Sequence, residues 1–135
     1  MNLSEYRTIS TPDNLKRIIV VIDEYAEVTD ATAATKEEKT KIDAIQRILN
    51  RILRLGRAVG IHVIISTQRP DATILSGSIK SNIDVRICGK ADSTLSTIVL
   101  GDGRAHESIP KDSQGRFLLN DGAEDIVFQA FLYEE

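Results

Sequence analysis

An unbroken run of branched aliphatic residues ends in two acids in the segment RIIVVIDEYAE (Arg17–Glu27). The five side chains of Ile18–Ile22 are typical of a strand that is buried on both faces, and such strands are usually central in a parallel sheet. Adjacent carboxylates at the end of a buried strand are costly unless water, a metal or a partner meets them. Because ligands of open α/β sheets bind beyond the carboxyl ends of the strands, we expect Asp23 and Glu24 to lie at the edge of a site.

The composition limits the class of protein. The 135 residues suffice for one domain or for a piece of a larger one, and 41% hydrophobic with 4% aromatic residues predicts an aliphatic core. A net charge of −3 excludes a protein-wide basic field, so any contact with DNA must use local basic residues. The single cysteine, Cys88, is predicted to be buried and suits a reducing compartment. With no signal peptide and no apolar run near the roughly 20 residues of a membrane helix, a cytoplasmic location is predicted.

Strand and helix patterns alternate along the rest of the chain. Residues 1–15 are interpreted as a lead-in segment and residues 16–135 as the folded part. The order β–α–β–α–β–α–β–β implies an α/β fold with a mainly parallel sheet, flanking helices and an antiparallel end. The predicted strands are Lys16–Asp23, Ile61–Thr67, Ile83–Gly89, Arg116–Leu119 and Ile126–Tyr133, and the shorter predicted helices are Ser78–Asn82 and Asp92 or Ser93 to Leu100.

A long helix is predicted after Thr35. Thr35 and Glu38 have the spacing of a capping box, and apolar residues then recur every three or four positions on one face. Gly56 and Gly60 are predicted to mark the end of this helix, where Arg57 would interact favourably with the helix dipole.

Two predicted strands end in polar residues that can face one crevice, namely Asp23-Glu24 and Thr67-Gln68. An apolar strand that ends in Asp-Glu is the Walker B pattern of nucleotide hydrolases. In that pattern the Asp holds Mg²⁺ and the Glu accepts a proton from the attacking water. A polar amide on the neighbouring strand, such as Gln68, can sense the γ-phosphate or orient the water. Alternatively, the acids only cap the next helix and Gln68 only bonds to backbone.

A family resemblance extends this hypothesis. The blocks IIVVIDEYAE and GRAVGIHVIISTQRPDATILSGSIKSNIDVRI closely resemble the second half of the FtsK/SpoIIIE motor domain, a family of hexameric, RecA-like P-loop ATPases that pump double-stranded DNA. The resemblance runs from about Arg17 to Gly122. The DEYAE and ILRLGRAVGIH blocks look like relatives carried on conjugative elements of Gram-positive bacteria, which implies a role in conjugative transfer or chromosome partition.

The resemblance also implies roles for single residues, with ATP and Mg²⁺ as cofactors. Asp23 would coordinate Mg²⁺, Glu24 would activate water and Gln68 would act as the sensor. Arg57 matches an arginine that reaches into the neighbouring subunit's site. Its alternative role is to favour the end of a helix.

Two further basic residues match family positions that touch the DNA backbone in the pore. These are Arg69 and Lys80, and the alternative is that both are plain surface charges.

The phosphate-binding motif of these ATPases, GxxxxGKS or GxxxxGKT, is absent from the sequence. The chain is therefore interpreted as the C-terminal half of a motor domain, inactive alone, within a parent protein that forms a hexamer and could carry a membrane anchor. A halved sheet also predicts self-association. The alternatives are part of a type VII secretion ATPase, which moves protein, and a non-catalytic oligomerisation module.

Overall fold

A computed structural model describes residues 16–70 and 74–132 of the chain. It divides into two compact units, Met1–Arg69 and Pro70–Glu135, and each is described by itself. The predicted lead-in, residues 1–15, and the predicted strand end at Tyr133 lie outside the described residues.

The first unit contains two strands and two helices. Strand β1 (Ile18–Ile22) is followed by the short helix α1 (Tyr25–Thr29), the long helix α2 (Lys36–Val59) and strand β2 (Ile61–Ile65). The two strands pair in parallel, with Ile18 opposite Ile61 and Ile22 opposite Ile65. Parallel pairing brings the carboxyl ends of both strands to the same edge.

Helix α2 begins as its capping box predicts. The hydroxyl of Thr35 accepts a hydrogen bond from the backbone N–H of Glu38 at 3.3 Å, and the Glu38 carboxylate accepts one from the backbone N–H of Thr35 at 2.8 Å. The helix ends at Gly60, whose φ of 79° is in the left-handed region that favours glycine. Gly56 was wrongly predicted as an end, because it lies inside the helix, where a Cβ would come within 3.1 Å of the Ile61 Cβ.

Strand β1 is less buried than its sequence predicts. On one face of the β1–β2 pair, Ile19, Val21 and Ile64 are 63%, 64% and 54% exposed, so the prediction of burial on both faces is wrong. Alternate side chains of a strand point to opposite faces, and helix α2 packs against only one of them. The exposed apolar face agrees with the exposed surface expected of a halved sheet, and self-association stays a prediction.

The second unit forms an antiparallel sheet flanked by short helices. Its sheet has the order β3–β4–β5, and both pairs are antiparallel. The elements are α3 (Gly77–Lys80), β3 (Arg86–Cys88), α4 (Ser93–Leu100), α5 (Arg104–Ser108), β4 (Arg116–Asn120) and β5 (Asp125–Gln129). Buried apolar residues form one core, which comprises Cys88, Leu100, Ala105, Ile109 and Leu118.

The predicted mainly parallel sheet is therefore wrong for the described residues, although the antiparallel end is confirmed. Strand β3 pairs with β4, with Cys88 opposite Leu118, so it joins a hairpin rather than the parallel pair. β4 and β5 are joined by a short turn, which only antiparallel strands allow. The turn is fixed by the Asp121 carboxylate, which accepts hydrogen bonds from the backbone N–H groups of Ala123 and Glu124, both at 2.9 Å.

Candidate functional site

The carboxyl ends of β1 and β2 meet through a short ladder of backbone hydrogen bonds. The N–H of Ser66 donates to the carbonyl of Ile22, and the N–H of Tyr25 donates to the carbonyl of Ser66, each at 2.9 Å. The parallel pairing therefore continues for one residue past the strands. It sets Asp23 and Glu24 beside the polar residues at the end of β2.

Asp23 is exposed at this edge and is held by Ser66. The Ser66 hydroxyl lies within hydrogen-bond reach of the Asp23 backbone carbonyl and, at 3.1 Å, of its carboxylate Oδ1. Both contacts cross from β2 to β1, so the position of this carboxylate depends on the strand pairing. An exposed, oriented carboxylate suits Mg²⁺, which takes one or two carboxylates and keeps several waters.

Glu24 receives three hydrogen bonds. Thr67 Oγ1 donates to Oε1 at 2.5 Å, the backbone N–H of Gln68 donates to Oε2 at 2.8 Å, and the backbone N–H of Ala26 donates to Oε1 at 3.2 Å. These bonds, the Thr67 hydroxyl foremost, lower the pKa of Glu24, and the positive charge of Arg69 acts in the same direction. The Ala26 bond also makes Glu24 the N-cap of α1, so the capping role left open by the sequence is confirmed.

Gln68 takes part in this site through its backbone. The sequence hypothesis used its side-chain amide as a sensor, and that role stays a prediction. Thr67 was expected to face the crevice of the acids but was given no role, and Ser66 was not singled out from the sequence. The signal for both was the polar triplet Ser66-Thr67-Gln68 at the end of β2, in which only the Gln68 amide was given a function.

The predicted basic residues lie on three different segments, and only Arg69 is next to the residues that hold the acids. Arg57 lies in the last turn of α2, which leads into the start of β2, whereas the acids lie at the strand ends. A five-residue strand separates these two edges by about 16 Å. Arg57 is therefore remote from the acids of its own chain. Arg69 is exposed and follows Gln68 directly. Lys80 lies in the last turn of α3, in the second unit.

Within the described ranges, no group of three or more His, Cys, Asp or Glu side chains is arranged to hold a metal ion.

Bacterial DNA translocases are similar to this chain in sequence. A DNA translocase FtsK of Staphylococcus aureus (strain Mu50) is 34% identical over 128 residues, which cover 84% of this chain. A DNA translocase FtsK 2 of Neisseria meningitidis is 34% identical over 105 residues and covers 73% of it. The chain is an FtsK/SpoIIIE-like segment. It spans only 15% of the length of the first relative and 10% of the second.

Two solved structures resemble this FtsK/SpoIIIE-like segment. The pCW3 conjugation coupling protein TcpA, solved with ATPγS, gives a TM-score of 0.86 and 44% identity, covering 96% of this chain and 36% of that one. The cytoplasmic domain of the Thermomonospora curvata type VII secretion ATPase EccC gives a TM-score of 0.67 and 25% identity, covering 94% of this chain and 14% of that one. No protein-family model matches the chain. None of the helices in the described residues is both long enough and apolar enough to cross a membrane.

Proposed function

We propose that this FtsK/SpoIIIE-like segment supplies the Mg²⁺-binding and water-activating half of an ATP-driven double-stranded DNA translocase, of the kind used in conjugative transfer or chromosome partition. One observation carries the proposal, namely that the parallel β1–β2 pair sets Asp23 and Glu24 at one edge beside Ser66, Thr67 and Gln68. The similarity to proteins named DNA translocase FtsK and to the conjugation coupling protein TcpA supports DNA as the substrate.

Each acid has a separate role in this proposal. Asp23 holds Mg²⁺, because its carboxylate is exposed while its backbone is fixed by Ser66. Glu24 accepts a proton from the attacking water, and hydrogen bonds from Thr67, Gln68 and Ala26 hold its carboxylate in place for this role. The sequence has no GxxxxGKS or GxxxxGKT motif, so the proposal assigns the phosphate-binding loop to a part of the motor outside these 135 residues. Bound ATP supplies the phosphoryl group and, through its oxygens, further ligands for Mg²⁺.

The predicted basic residues have roles other than holding Mg²⁺ or activating water, which are the roles of the acid cluster of Asp23 and Glu24. Arg57 lies at the opposite edge from the acids of its own chain, which supports a role at the ATP site of a neighbouring copy in a hexameric ring. Arg69 and Lys80 contact DNA phosphates, which would attract the motor to DNA without reading its sequence.

A second candidate function, a motor that moves protein, is supported by the similarity to the type VII secretion ATPase EccC. Asp23 and Glu24 would have the same chemical roles in such a motor, because the phosphoryl-transfer step is the same whichever polymer is moved. The identity to TcpA is 44% against 25% to EccC, which favours DNA. Stimulation of ATP hydrolysis by double-stranded DNA distinguishes the two candidates.

Glu24→Gln tests the proposal in the parent protein that joins this segment to a phosphate-binding loop. The amide cannot accept the proton, so we expect ATP binding to persist while DNA-stimulated hydrolysis falls at least about a hundredfold. Glu27→Gln is the matched control, because it makes the same change on an exposed side chain of α1. Hydrolysis and DNA pumping at the wild-type rate in Glu24→Gln would exclude the role given to Glu24.

A further inference from the structure

Two contacts of the Thr67 hydroxyl together determine where its hydrogen points. Thr67 Oγ1 accepts a hydrogen bond from the backbone N–H of Arg69 at 3.1 Å, and it lies 2.5 Å from Oε1 of Glu24. A backbone N–H can only donate, so it occupies a lone pair of the hydroxyl and leaves its single hydrogen for Glu24. The ionised carboxylate can only accept, so the direction of this bond is fixed.

The three hydrogen bonds to Glu24 are distributed unequally between its two carboxylate oxygens. A carboxylate has about four lone-pair sites, two on each oxygen. Thr67 and Ala26 both donate to Oε1, whereas only the N–H of Gln68 donates to Oε2. Among the described residues no second donor reaches Oε2, so one acceptor site remains on that oxygen.

We propose that Thr67 is a positioning residue for Glu24, which it orients so that Oε2 is the oxygen that takes a proton from water. This inference rests on the proposed function of the site. Without the Thr67 hydroxyl, Oε1 keeps only the longer bond from the Ala26 N–H at 3.2 Å, so the orientation of the carboxylate is less tightly fixed. In this role Thr67 acts through Glu24.

Thr67→Val, Thr67→Ser and the matched control Thr40→Val test the proposal in the parent motor. Thr40→Val also removes a hydroxyl from the first unit, but one that bonds to the Lys36 carbonyl within α2. We expect Thr67→Val to lower kcat roughly ten- to hundredfold, the effect of a misplaced catalytic group, with the KM for ATP unchanged. Thr67→Ser should restore kcat, and Thr40→Val should behave as wild type.

The acid limb of the kcat–pH profile distinguishes a positioning role from a packing role. If Thr67 only contributed to packing, its replacement would leave this limb at the same pH. The hydroxyl lowers the pKa of Glu24, so Thr67→Val should shift this limb to higher pH, and Thr67→Ser should not. Loss of kcat in both variants with an unmoved acid limb would assign Thr67 a packing role and overturn the proposal. An unchanged kcat in Thr67→Val would also overturn it.

A measurement that does not depend on activity separates this proposal from the proposed function. In the 135-residue chain, the Glu24 side chain can be titrated by carbon-detected NMR. Thr67→Val should raise the pKa of Glu24 and Thr67→Ser should leave it low, whereas an unmoved pKa in Thr67→Val would exclude the Thr67 bond. Failure of the proposed function gives a different result, namely hydrolysis that survives Glu24→Gln.

Discussion

Tyr25 is completely buried, with 0% of its surface exposed, directly after the acid pair. Its hydroxyl oxygen is also buried and has no hydrogen-bond partner among the described residues. Burial raises the pKa of this phenol, because the charged form would lose its hydration. Tyr25→Phe removes the hydroxyl and keeps the ring, so it isolates the contribution of one unpaired polar group.

The magnitude can be worked out from the burial of this oxygen. Leaving a hydroxyl buried and unpaired costs about 1–3 kcal/mol, since its bonds to water are lost without replacement. Tyr25→Phe should therefore increase the free energy of unfolding by about 1 kcal/mol, the lower end of that range. Tyr25→Ala should decrease it by roughly 3–5 kcal/mol, because a cavity replaces the ring.

Urea denaturation of the 135-residue chain, followed by circular dichroism, measures both changes. The backbone N–H of Tyr25, which donates to Ser66, is kept in both variants, so the acid cluster should retain its geometry in Tyr25→Phe. A decrease in the stability of Tyr25→Phe would refute the reasoning. It would mean that an ordered water or another group satisfies the hydroxyl.

Two further predictions concern the start of α2 and the binding of DNA. Thr35→Ala should lower the free energy of unfolding by about 1 kcal/mol, measured by urea denaturation, because it removes an N-cap. The backbone N–H of Thr35, and after it the Thr35 hydroxyl, lower the pKa of Glu38, so the stabilisation from these two bonds to the carboxylate, unlike the cap bond itself, is present above the usual pKa of a glutamate and is lost as the pH falls through the lowered value. In the parent motor, Arg69→Ala and Lys80→Ala should each weaken binding to any duplex sequence and reduce the slope of log K against log salt by about 0.9. Lys111→Ala, a change at an exposed loop lysine, is the control, and an equal effect there would show that only total charge matters.

The acid pair and its strand could be identified from the sequence because both depend only on a few consecutive residues. An aliphatic run that ends in Asp23 and Glu24 specifies a strand with two carboxylates at its carboxyl end, and β1 was found at Ile18–Ile22. The capping box of α2 was equally local, since Thr35 and Glu38 are one helical turn apart. Burial of Cys88 was also predicted correctly, as an apolar position in a strand.

Thr67 and Gln68 were expected to face the crevice of the acids, but the individual bonds to Asp23 and Glu24 could not be predicted in this way. Ser66 and Thr67 are 43 residues from the acids they hold, and nothing in their local sequence specifies the register of β1 against β2. The pairing of β3 could not be predicted either, because its sequence pattern indicates a strand but not whether that strand pairs parallel or antiparallel. In the structure it pairs antiparallel with β4, with Arg86 opposite Asn120 and Cys88 opposite Leu118.

The sequence by itself therefore determined the elements and the chemical types at their ends, since hydrophobic period, caps and turns act over a few residues. Only the tertiary structure decided that Glu24 receives the Thr67 hydroxyl and the Gln68 N–H, that Arg57 lies at the opposite edge, and that one face of β1 is exposed. Those outcomes depend on strand register and on which face α2 covers, and both are set by contacts between segments far apart in the chain.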